Sequence, residues 1–348
     1  MKTVLVNTPN PYLITVGKGL LPHIGKECKA LLAKAKKILV VADTNVAPLY
    51  LAPVMKSLEE AGFEAYFKEI PAGEEHKNLT TYTSILTEAA ARGFCRDDAF
   101  VALGGGVTGD ITGFAAATYM RGIDFIQLPT TLVAGIDASI GGKTGVDFVG
   151  GKNLVGAFHQ PRGVFFDVDT LATLPEDEIK NGLGEGIKYA VLCGGRIVEI
   201  LREGIIAEEK EEFCALCAAY KAEVVEKDEK EGSLRQLLNL GHTAGHAIEK
   251  LSSYRVSHGQ AVAMGIQMMA EGSVKKGVLS PKEGEEILSL LNKYGLKTRI
   301  PFSAKLIAEA AKSDKKMHGS SINAVEIVRI GYCRVKKMSV SEFGEYIS

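Results

Sequence analysis

Two histidines spaced four residues apart are the first feature of this 348-residue sequence that could do chemistry. His242 and His246 lie in "LLNLGHTAGHAIEK" (237–250), a segment with helical spacing. Side chains four apart on a helix share one face, with Cβ atoms roughly 5–6 Å from each other. The two imidazoles could bind one metal ion together or have different functions, and the spacing alone leaves both interpretations open.

A third histidine and a carboxylate extend this group. His258 lies within the same seventeen residues as His242 and His246, and three histidines so close favour a metal or catalytic site over separate buried core histidines. Two histidines, one carboxylate and an open position form a catalytic zinc arrangement. Glu185 in "NGLGEGIKYA" is the best candidate because its neighbouring glycines leave room for another group. Lys188 lies three residues on, at roughly the same helix face.

Glycines and polar residues at the predicted strand ends indicate a nucleotide site. "VALGGGVTGD" (101–110) follows a predicted strand and precedes a predicted helix, where backbone N–H groups attract phosphate. The pattern is not G-x-G-x-x-G, so a tight turn without a ligand is an equal alternative. Further polar side chains at strand ends favour a dinucleotide, because ligands of open α/β sheets bind there. These are Asp43, Asn45, the turn at 71–77, Thr130 and Thr131.

A glycine-dense segment at 135–161 shows neither a helical nor a strand period. We expect it to be irregular, and a long irregular segment in a compact domain is usually functional or mobile. Its lysines could supply positive charge for a phosphorylated or carboxylated substrate. A solvated surface loop is the alternative. The candidate residues here are Asp137, Lys143, Lys152 and Asn153.

The overall composition is that of an ordinary globular protein, with 46% hydrophobic and 24% charged residues. A net charge of −1 gives no global attraction to nucleic acid or membranes, so an anionic ligand must be held by a local cluster of Lys and Arg. No apolar run approaches the ~20 residues that span a bilayer, and the start of the chain does not resemble a signal peptide. We expect a cytoplasmic protein.

Six cysteines are scattered along the chain and do not form a disulfide framework. Cys214 and Cys217 make a C-x-x-C motif inside an apparent amphipathic helix. Small buried thiols are the favoured interpretation there, and a redox or zinc site is the alternative.

Strand and helix patterns alternate through the first half of the chain and then become mainly helical. Alternating β and α units predict a parallel sheet with helices on both faces. We therefore expect a Rossmann-like α/β domain over 1–169 and a mainly helical domain over 170–348, in which "AVEIVRIGYCRV" could form a strand pair. A cleft between domains is a preferred place for a small-molecule site. The predicted strands are 36–43, 63–70, 97–103, 123–129 and 163–169.

Several long motifs, in order from about residue 40 to 316, resemble the 3-dehydroquinate synthase family. They include "LGGGVTGD", "LPTTLVAGIDASIGGKTGVD", "GKNLVGAFHQP", "NGLGEGIKYA" and "LNLGHTAGHAIE". The resemblance implies an α/β nucleotide-binding domain followed by a helical domain, bound NAD, and a divalent metal, usually Zn²⁺, with Co²⁺ as an alternative. It implies a lyase of the shikimate pathway that converts 3-deoxy-arabino-heptulosonate 7-phosphate into 3-dehydroquinate and phosphate.

The resemblance also assigns residues. Glu185, His242 and His258 would bind the metal, whereas His246 would face the substrate. NAD would contact Asp43, Asn45, Gly73, Glu74, Lys77, Gly105, Gly106, Val107, Thr108, Gly109, Asp110, Thr130, Thr131, Lys143, Lys152, Thr170 and Thr173. The substrate or catalytic group would be His246, Lys188, Asn239, Asp137, Lys143, Lys152, Asn153, Lys221, Arg235 and either Lys315 or Lys316.

Two further points come from the resemblance. Arg121 in "YMRG" resembles a residue that reaches the phosphate site of a neighbouring subunit, which implies a homodimer. The family usually has H-G-E starting at the third metal ligand, but this chain has Gln260 in the place of the Glu. The orientation and basicity of His258 could therefore differ.

Other functions have to be weighed against this one. A related sugar-phosphate cyclase, forming a valiolone or a deoxy-inosose, would share the NAD and metal motifs but differ in substrate residues. Lys221, Asn239 and His246 fit the dehydroquinate type. A metal-dependent glycerol or alcohol dehydrogenase would lack the lysines of "GGK" and "GKN". A metal-stabilised binding protein would have a fully coordinated ion and release no phosphate.

Overall fold

The chain folds into two compact units, seen in a computed structural model. The structure describes residues 1–149, 151–205, 208–296, 299–314 and 321–348. The first unit comprises Met1–Leu174 and Lys210–Glu226, and the second Pro175–Glu209 and Lys227–Ser348. The chain first leaves the α/β unit five residues after the boundary expected from the sequence, and one later helix returns to it.

Within the residues that the structure describes, a seven-stranded sheet forms the centre of the first unit. It confirms the predicted α/β class. Its strands are β1 (Lys2–Val6), β2 (Tyr12–Gly17), β3 (Lys37–Asp43), β4 (Glu64–Ile70), β5 (Ala99–Gly104), β6 (Asp124–Pro129) and β9 (Gly163–Asp167). The order is β1-β2-β9-β6-β5-β3-β4, with β1 antiparallel to β2 and the other neighbours parallel. The β1–β2 hairpin at the start of the chain was not predicted.

The central strands are mainly apolar because both faces of the sheet are covered. Successive residues of β3 belong to different clusters: Ile38 and Val40 pack in one, Leu39 and Val41 in the other. The helices of this unit are α1 (Ile24–Leu31), α2 (Ala47–Glu60), α3 (Leu79–Ala91), α4 (Gly106–Thr118) and α7 (Lys210–Lys227), the last belonging to it through Glu226.

The expectation of an irregular segment at 135–161 is wrong. After a π-helical turn at Ala134–Ala138, the chain forms an antiparallel hairpin of β7 (Lys143–Phe148) and β8 (Gly151–Phe158). Glycines hide the strand pattern because they sit where the two backbones come very close. A Cβ added at Gly156 would lie 2.1 Å from the carbonyl oxygen of Thr144.

The second unit is mainly helical, as predicted. Its helices are α5 (Glu176–Cys193), α6 (Arg196–Glu203), α8 (His242–Leu251), α9 (His258–Lys275), α10 (Pro281–Lys293), α11 (Ala304–Asp314) and α12 (Val340–Tyr346). Strands β10 (Ser321–Arg329) and β11 (Tyr332–Ser339) form the expected pair. Among the described residues, no helix combines the length and apolar character needed to cross a membrane.

The C-x-x-C motif lies on α7 as two buried cysteines, Cys214 and Cys217. Burial raises the pKa of the Cys214 thiol to about 12, so this side chain stays protonated and unreactive at neutral pH. The favoured interpretation of small buried thiols is confirmed.

Asp98 joins the starts of two central strands. This buried carboxylate accepts hydrogen bonds from the backbone N–H groups of Cys95 (2.8 Å), Lys37 (2.8 Å) and Lys36 (3.2 Å). Burial alone would raise the pKa of Asp98, but these N–H donors outweigh it and lower the pKa below its ordinary value.

We expect Asp98→Asn to reduce the free energy of unfolding by about 1–3 kcal/mol at neutral pH, since an amide cannot accept all three bonds. Because the folded-state pKa is lowered, this stabilisation is present above the ordinary Asp value of about 3.9 and is lost as pH falls through the folded-state pKa. Urea unfolding at neutral and acidic pH should show the gap between wild type and variant closing in acid. Asp97→Asn, at an exposed neighbour, is the matched control, and an equal loss there would contradict the assignment.

Candidate active site

Glycines bring three helices of the second unit into backbone contact. A Cβ at Gly259 of α9 would lie 1.9 Å from the carbonyl oxygen of Asn181 on α5. A Cβ at Gly265 of α9 would lie equally close, 1.9 Å, to the carbonyl oxygen of Gly241, just before α8. Helix axes usually stay 8–10 Å apart because side chains separate them. Here the missing side chains let α9 approach both partners, and the predicted metal ligands lie near these contacts.

Glu185, His242 and His258 converge from α5, α8 and α9. One ligand atom from each lies within 4.8 Å of the others. The Oε1 atom of Glu185 is 3.1 Å from Nε2 of His258 and 3.4 Å from Nε2 of His242. Glu185 is fully buried, whereas His258 keeps a third of its side chain exposed. One carboxylate and two imidazoles, with an accessible side, match the donor set of a catalytic zinc site.

The outer nitrogens of both imidazoles have acceptors that orient the rings. Nδ1 of His242 lies 3.1 Å from the carbonyl oxygen of Leu240, and Nδ1 of His258 lies 3.3 Å from Oε2 of Glu249. If each Nδ1 donates, Nε2 is the nitrogen left to bind a metal ion, which would replace any proton held between Nε2 and Glu185. Oriented imidazoles of this kind are typical of metal sites, so the residues present fit a divalent ion.

The charges at this centre also suit a cation. Burial, followed by the nearby Lys188 ammonium, lowers the pKa of His242 well below its ordinary value, so this imidazole is neutral and able to bind metal. Burial opposes a charge on His258 too, but hydrogen bonds with Glu185 and Glu249 outweigh it and raise its pKa to about 10. The carboxylates around His258 thus favour a positive charge at this point.

His246 lies beside this group without belonging to it. Its ring centroid is 5.4 Å from that of His242 and 6.0 Å from that of His258. Its ligand atoms group instead with Glu249 and His258. The two histidines of the opening motif therefore share a helix face but have different neighbours, and the division of their functions stays a prediction.

Other predicted substrate residues of the second unit are buried and paired. Lys188 forms an ion pair with the second oxygen of Glu185, and both side chains are about 1% exposed. Arg235 is buried and donates to the carbonyl oxygen of Glu229. Asn239 donates to the Glu231 carboxylate over 3.2 Å. Each cationic or amide group is thus held by a neighbour before any substrate binds.

The loop before Arg235 and Asn239 positions both residues, and it is fixed by Asp228, which the sequence analysis did not single out. Asp228 accepts hydrogen bonds from the backbone N–H groups of Gly232 (2.7 Å), Ser233 (2.7 Å) and Arg235 (2.9 Å). Burial alone would raise the pKa of Asp228, but the three N–H donors outweigh burial and lower the pKa, which keeps the carboxylate ionised. The acid-rich "DEKEGS" stretch before Arg235 was the available indication of this role.

In the first unit, the predicted NAD residues follow the carboxyl ends of parallel strands. Asp43 ends β3, the turn at 73–77 follows β4, the glycine-rich turn follows β5, Thr130 and Thr131 follow β6, and Thr170 and Thr173 follow β9. Carboxyl ends of parallel strands share one edge of a sheet. The structure therefore brings these residues to one edge, as the sequence predicted.

The start of α4 has the features of a phosphate site. Gly105 precedes the helix and has no side chain to cap its N–H groups. The Asp43 carboxylate accepts from Asn45 N (3.0 Å) and from the Thr108 hydroxyl (3.1 Å), which fixes the adjoining turn. Buried Thr130 Oγ1 has no hydrogen-bond partner among the described residues. Uncapped N–H groups and a hydroxyl with no partner among the described residues fit a bound dinucleotide.

The β7–β8 hairpin carries predicted substrate residues next to this edge. Buried Lys77 donates to Asp110 and, over 2.6 Å, to Oδ1 of Asn153. Burial disfavours the Lys77 ammonium, but Asp110 and then Glu74 outweigh it and raise the pKa, so Lys77 stays charged. Lys152 of the same hairpin lies 3.5 Å from Glu74. Lys143 begins β7 with an exposed side chain.

Helix α7 returns to the first unit and supplies Lys221. This buried lysine donates to the backbone carbonyl of Asp137 (2.7 Å) and to its carboxylate. Asp137 lies on the π-helical turn before β7. The structure thus joins two predicted substrate residues that are 84 positions apart in sequence.

Three further predictions have separate outcomes. Arg121 lies exposed in a turn of the first unit. Lys315 and Lys316 lie outside the described residues. Gln260 donates over 3.0 Å to the carbonyl oxygen of Leu296, whereas the partner of His258 Nδ1 is Glu249. Glu249 was not singled out, although its position seven residues after His242 places it on the same face of α8.

Comparisons with known proteins agree with this geometry. Residues 67–181 match the family described as 3-dehydroquinate synthase N-terminal, and residues 182–317 match 3-dehydroquinate synthase C-terminal. A 3-dehydroquinate synthase from Geobacter metallireducens is 44% identical over 322 residues, which cover 90% of this chain and 89% of that protein.

Two solved structures have the same fold. The 2-deoxy-scyllo-inosose synthase complexed with carbaglucose-6-phosphate, NAD⁺ and Co²⁺ superposes with a TM-score of 0.90 at 24% identity, covering 99% of both chains. The 2-epi-5-epi-valiolone synthase from Streptomyces hygroscopicus subsp. jinggangensis, with NAD⁺ and Zn²⁺ bound, has a TM-score of 0.83 at 27% identity and covers 97% of this chain and 95% of that one.

We expect Gly259→Ala to weaken metal binding at least about tenfold, since the new Cβ would force α9 away from Asn181 and His258 away from Glu185. The overpacking should also destabilise the protein by about 1–3 kcal/mol. Zinc affinity can be measured by competition with a chromophoric chelator. Gly344→Ala on α12, where the nearest atom is 3.3 Å away, is the control. Full zinc affinity in Gly259→Ala would show that the close approach is not needed.

Proposed function

The chain belongs to the 3-dehydroquinate synthase family, and we propose that it converts 3-deoxy-arabino-heptulosonate 7-phosphate into 3-dehydroquinate and phosphate with NAD and a divalent metal. The observation that carries this proposal is the convergence of Glu185, His242 and His258. Phosphate can be eliminated from this substrate only if the neighbouring C–H is acidic, which a ketone formed by hydride removal makes it. The overall reaction involves no net oxidation, so the hydride acceptor must return its hydride, and the hydroxyl that is oxidised needs help with deprotonation.

The metal would be held by Glu185, His242 and His258. When bound, a divalent ion supplies a Lewis acid that lowers the pKa of a substrate hydroxyl. Lys188 neutralises the buried Glu185 carboxylate until a ligand arrives, because an unpaired buried charge is costly. His246 lies near enough to this group to exchange a proton with a substrate held there.

NAD would be held by the first unit. It supplies a nicotinamide that accepts a hydride and returns it, so that the cofactor is regenerated. The uncapped start of α4 would bind the pyrophosphate, with Gly105 to Asp110 close to it. Thr130 would donate or accept through its unpaired hydroxyl. Asp43 would orient the turn beneath the cofactor through Thr108.

The substrate's phosphate and carboxylate need fixed cations. We assign this function to Lys152, Lys221 and Arg235, with Asn153 and Asn239 as hydrogen-bonding neighbours. Glu74 and Asp137 hold the two lysines in place beforehand, and the backbone carbonyl of Glu229 holds Arg235, so little reorganisation is needed when an anion binds. Asp137 would release Lys221 in part as the substrate binds.

The strained turn at Arg121 supports a homodimer. Met120 (φ 50°), Arg121 (φ 68°) and Gly122 (φ 114°) are consecutive residues with left-handed backbones, a conformation that costs non-glycine residues roughly 1–2 kcal/mol each. Among the described residues, Arg121 has no hydrogen bond or ion pair. We propose that this turn presents Arg121 to the phosphate site of a second subunit. We also propose that the enzyme is cytoplasmic.

Purified protein should release inorganic phosphate from 3-deoxy-arabino-heptulosonate 7-phosphate in the presence of NAD, and incubation with a chelator should abolish the release until Zn²⁺ or Co²⁺ is restored. NADH should not accumulate, since the hydride returns to the product. Glucose 6-phosphate and sedoheptulose 7-phosphate serve as controls for related cyclases. Phosphate release from one of those instead, or steady NADH formation from a simple alcohol, would contradict the proposal.

Mixing two inactive variants tests whether Arg121 acts across subunits. Arg121→Ala and His258→Ala should each have little activity alone. If Arg121 acts in trans, half of the sites in a mixed dimer are intact, and equal mixing should restore about a quarter of wild-type activity after subunit exchange. Phosphate release before and after exchange is the measurement. No recovery, despite mixed dimers seen by native mass spectrometry, would place Arg121 in its own subunit's site.

A further inference from the structure

We infer that Glu249 is a positioning residue for the metal centre, acting through His258 as a carboxylate that orients this ligand and strengthens its donation. The inference rests on the proposed metal centre. It adds to that centre a residue that the sequence analysis did not single out.

The geometry connects Glu249 to the centre through one imidazole. Oε2 of Glu249 lies 3.3 Å from Nδ1 of His258, and Nε2 of the same ring lies 3.1 Å from Glu185 Oε1. Glu249 is 4% exposed. A carboxylate so deeply buried is costly unless it is hydrogen-bonded, and Nδ1 of His258, on the side of the ring away from Glu185, provides one such bond.

The two histidine ligands are supported unequally. His242 has a neutral backbone carbonyl, that of Leu240, as its outer partner. His258 has a charged carboxylate, and a third of its side chain is exposed, compared with 13% for His242. The more exposed ligand thus has the stronger acceptor. An acceptor with full negative charge makes the imidazole a better donor to a metal and restricts rotation of the ring.

Helix α8 sets this arrangement. His242, His246 and Glu249 lie at positions i, i+4 and i+7, which place them on one face of the helix. Gly245 on the same helix would bring a Cβ to 3.0 Å from the carbonyl oxygen of Ala261, so α8 and α9 are in close contact here. The Glu249 carboxylate can therefore reach His258 from the neighbouring helix.

The test compares the full chain, stripped of metal, with Glu249→Gln and Glu249→Leu. Gln keeps an oxygen that accepts from Nδ1 but loses the charge, whereas Leu removes the acceptor. Zn²⁺ affinity, measured by competition with a chromophoric chelator, should fall about tenfold in Glu249→Gln and about a hundredfold in Glu249→Leu. The visible absorption of bound Co²⁺ should shift in the same order, which a purely structural role would not produce.

Glu326→Gln is the matched control, since Glu326 is a buried carboxylate of the same unit that pairs with Arg334 and Lys336. It should lower the melting temperature but leave Zn²⁺ affinity and the Co²⁺ spectrum unchanged. Unchanged affinity in both Glu249 variants would overturn the positioning role. Two metal equivalents in the wild type and one in Glu249→Leu would also overturn it, because Glu249 would then be a ligand itself. A wild type that binds no metal would overturn the proposed function, and this inference with it.

Discussion

The candidate active site depends on how closely α9 approaches α5 and α8. Each of these helices contributes one side chain to the donor group, and the three donors meet only because glycines at the crossings leave no Cβ between the backbones. Gly259 contacts Asn181 on α5, and Gly265 contacts Gly241 before α8. Protein interiors are packed too densely to absorb added atoms at such points. The position of the metal centre therefore depends on the absence of side chains at these glycines as much as on the ligands themselves.

A second constraint is electrostatic. Three buried lysines assigned to ligands are already paired in the folded chain: Lys188 with Glu185, Lys221 with Asp137, and Lys77 with Asp110. Buried ions require such partners, since the loss of hydration would otherwise outweigh their attraction. A bound anion or metal therefore exchanges partners with groups that are already oriented, which is how preorganised sites limit reorganisation.

Much of the architecture could be predicted because its causes are local. The apolar runs of β3 and β5 reflect burial on both sheet faces, and the residues at their carboxyl ends then had to lie along one edge. The β7–β8 hairpin was missed because Gly145 and Gly156 interrupt its pattern, and they do so for a tertiary reason: one backbone lies against the other. The β1–β2 hairpin was missed as well, and its place depends on pairing with β9, about 150 residues away in sequence.

The sequence by itself determined the donor types, the helical face shared by His242 and His246, and the family. Those properties depend on residue identity and on spacing within one helix. Only the tertiary structure decided that His242 faces Glu185 while His246 lies with Glu249, that Glu249 supports His258, and that α7 returns Lys221 to Asp137. The physical reason is that the rotation of a side chain, and the partner of each of its atoms, are set by neighbours from other helices, whose approach is decided by packing along the whole chain.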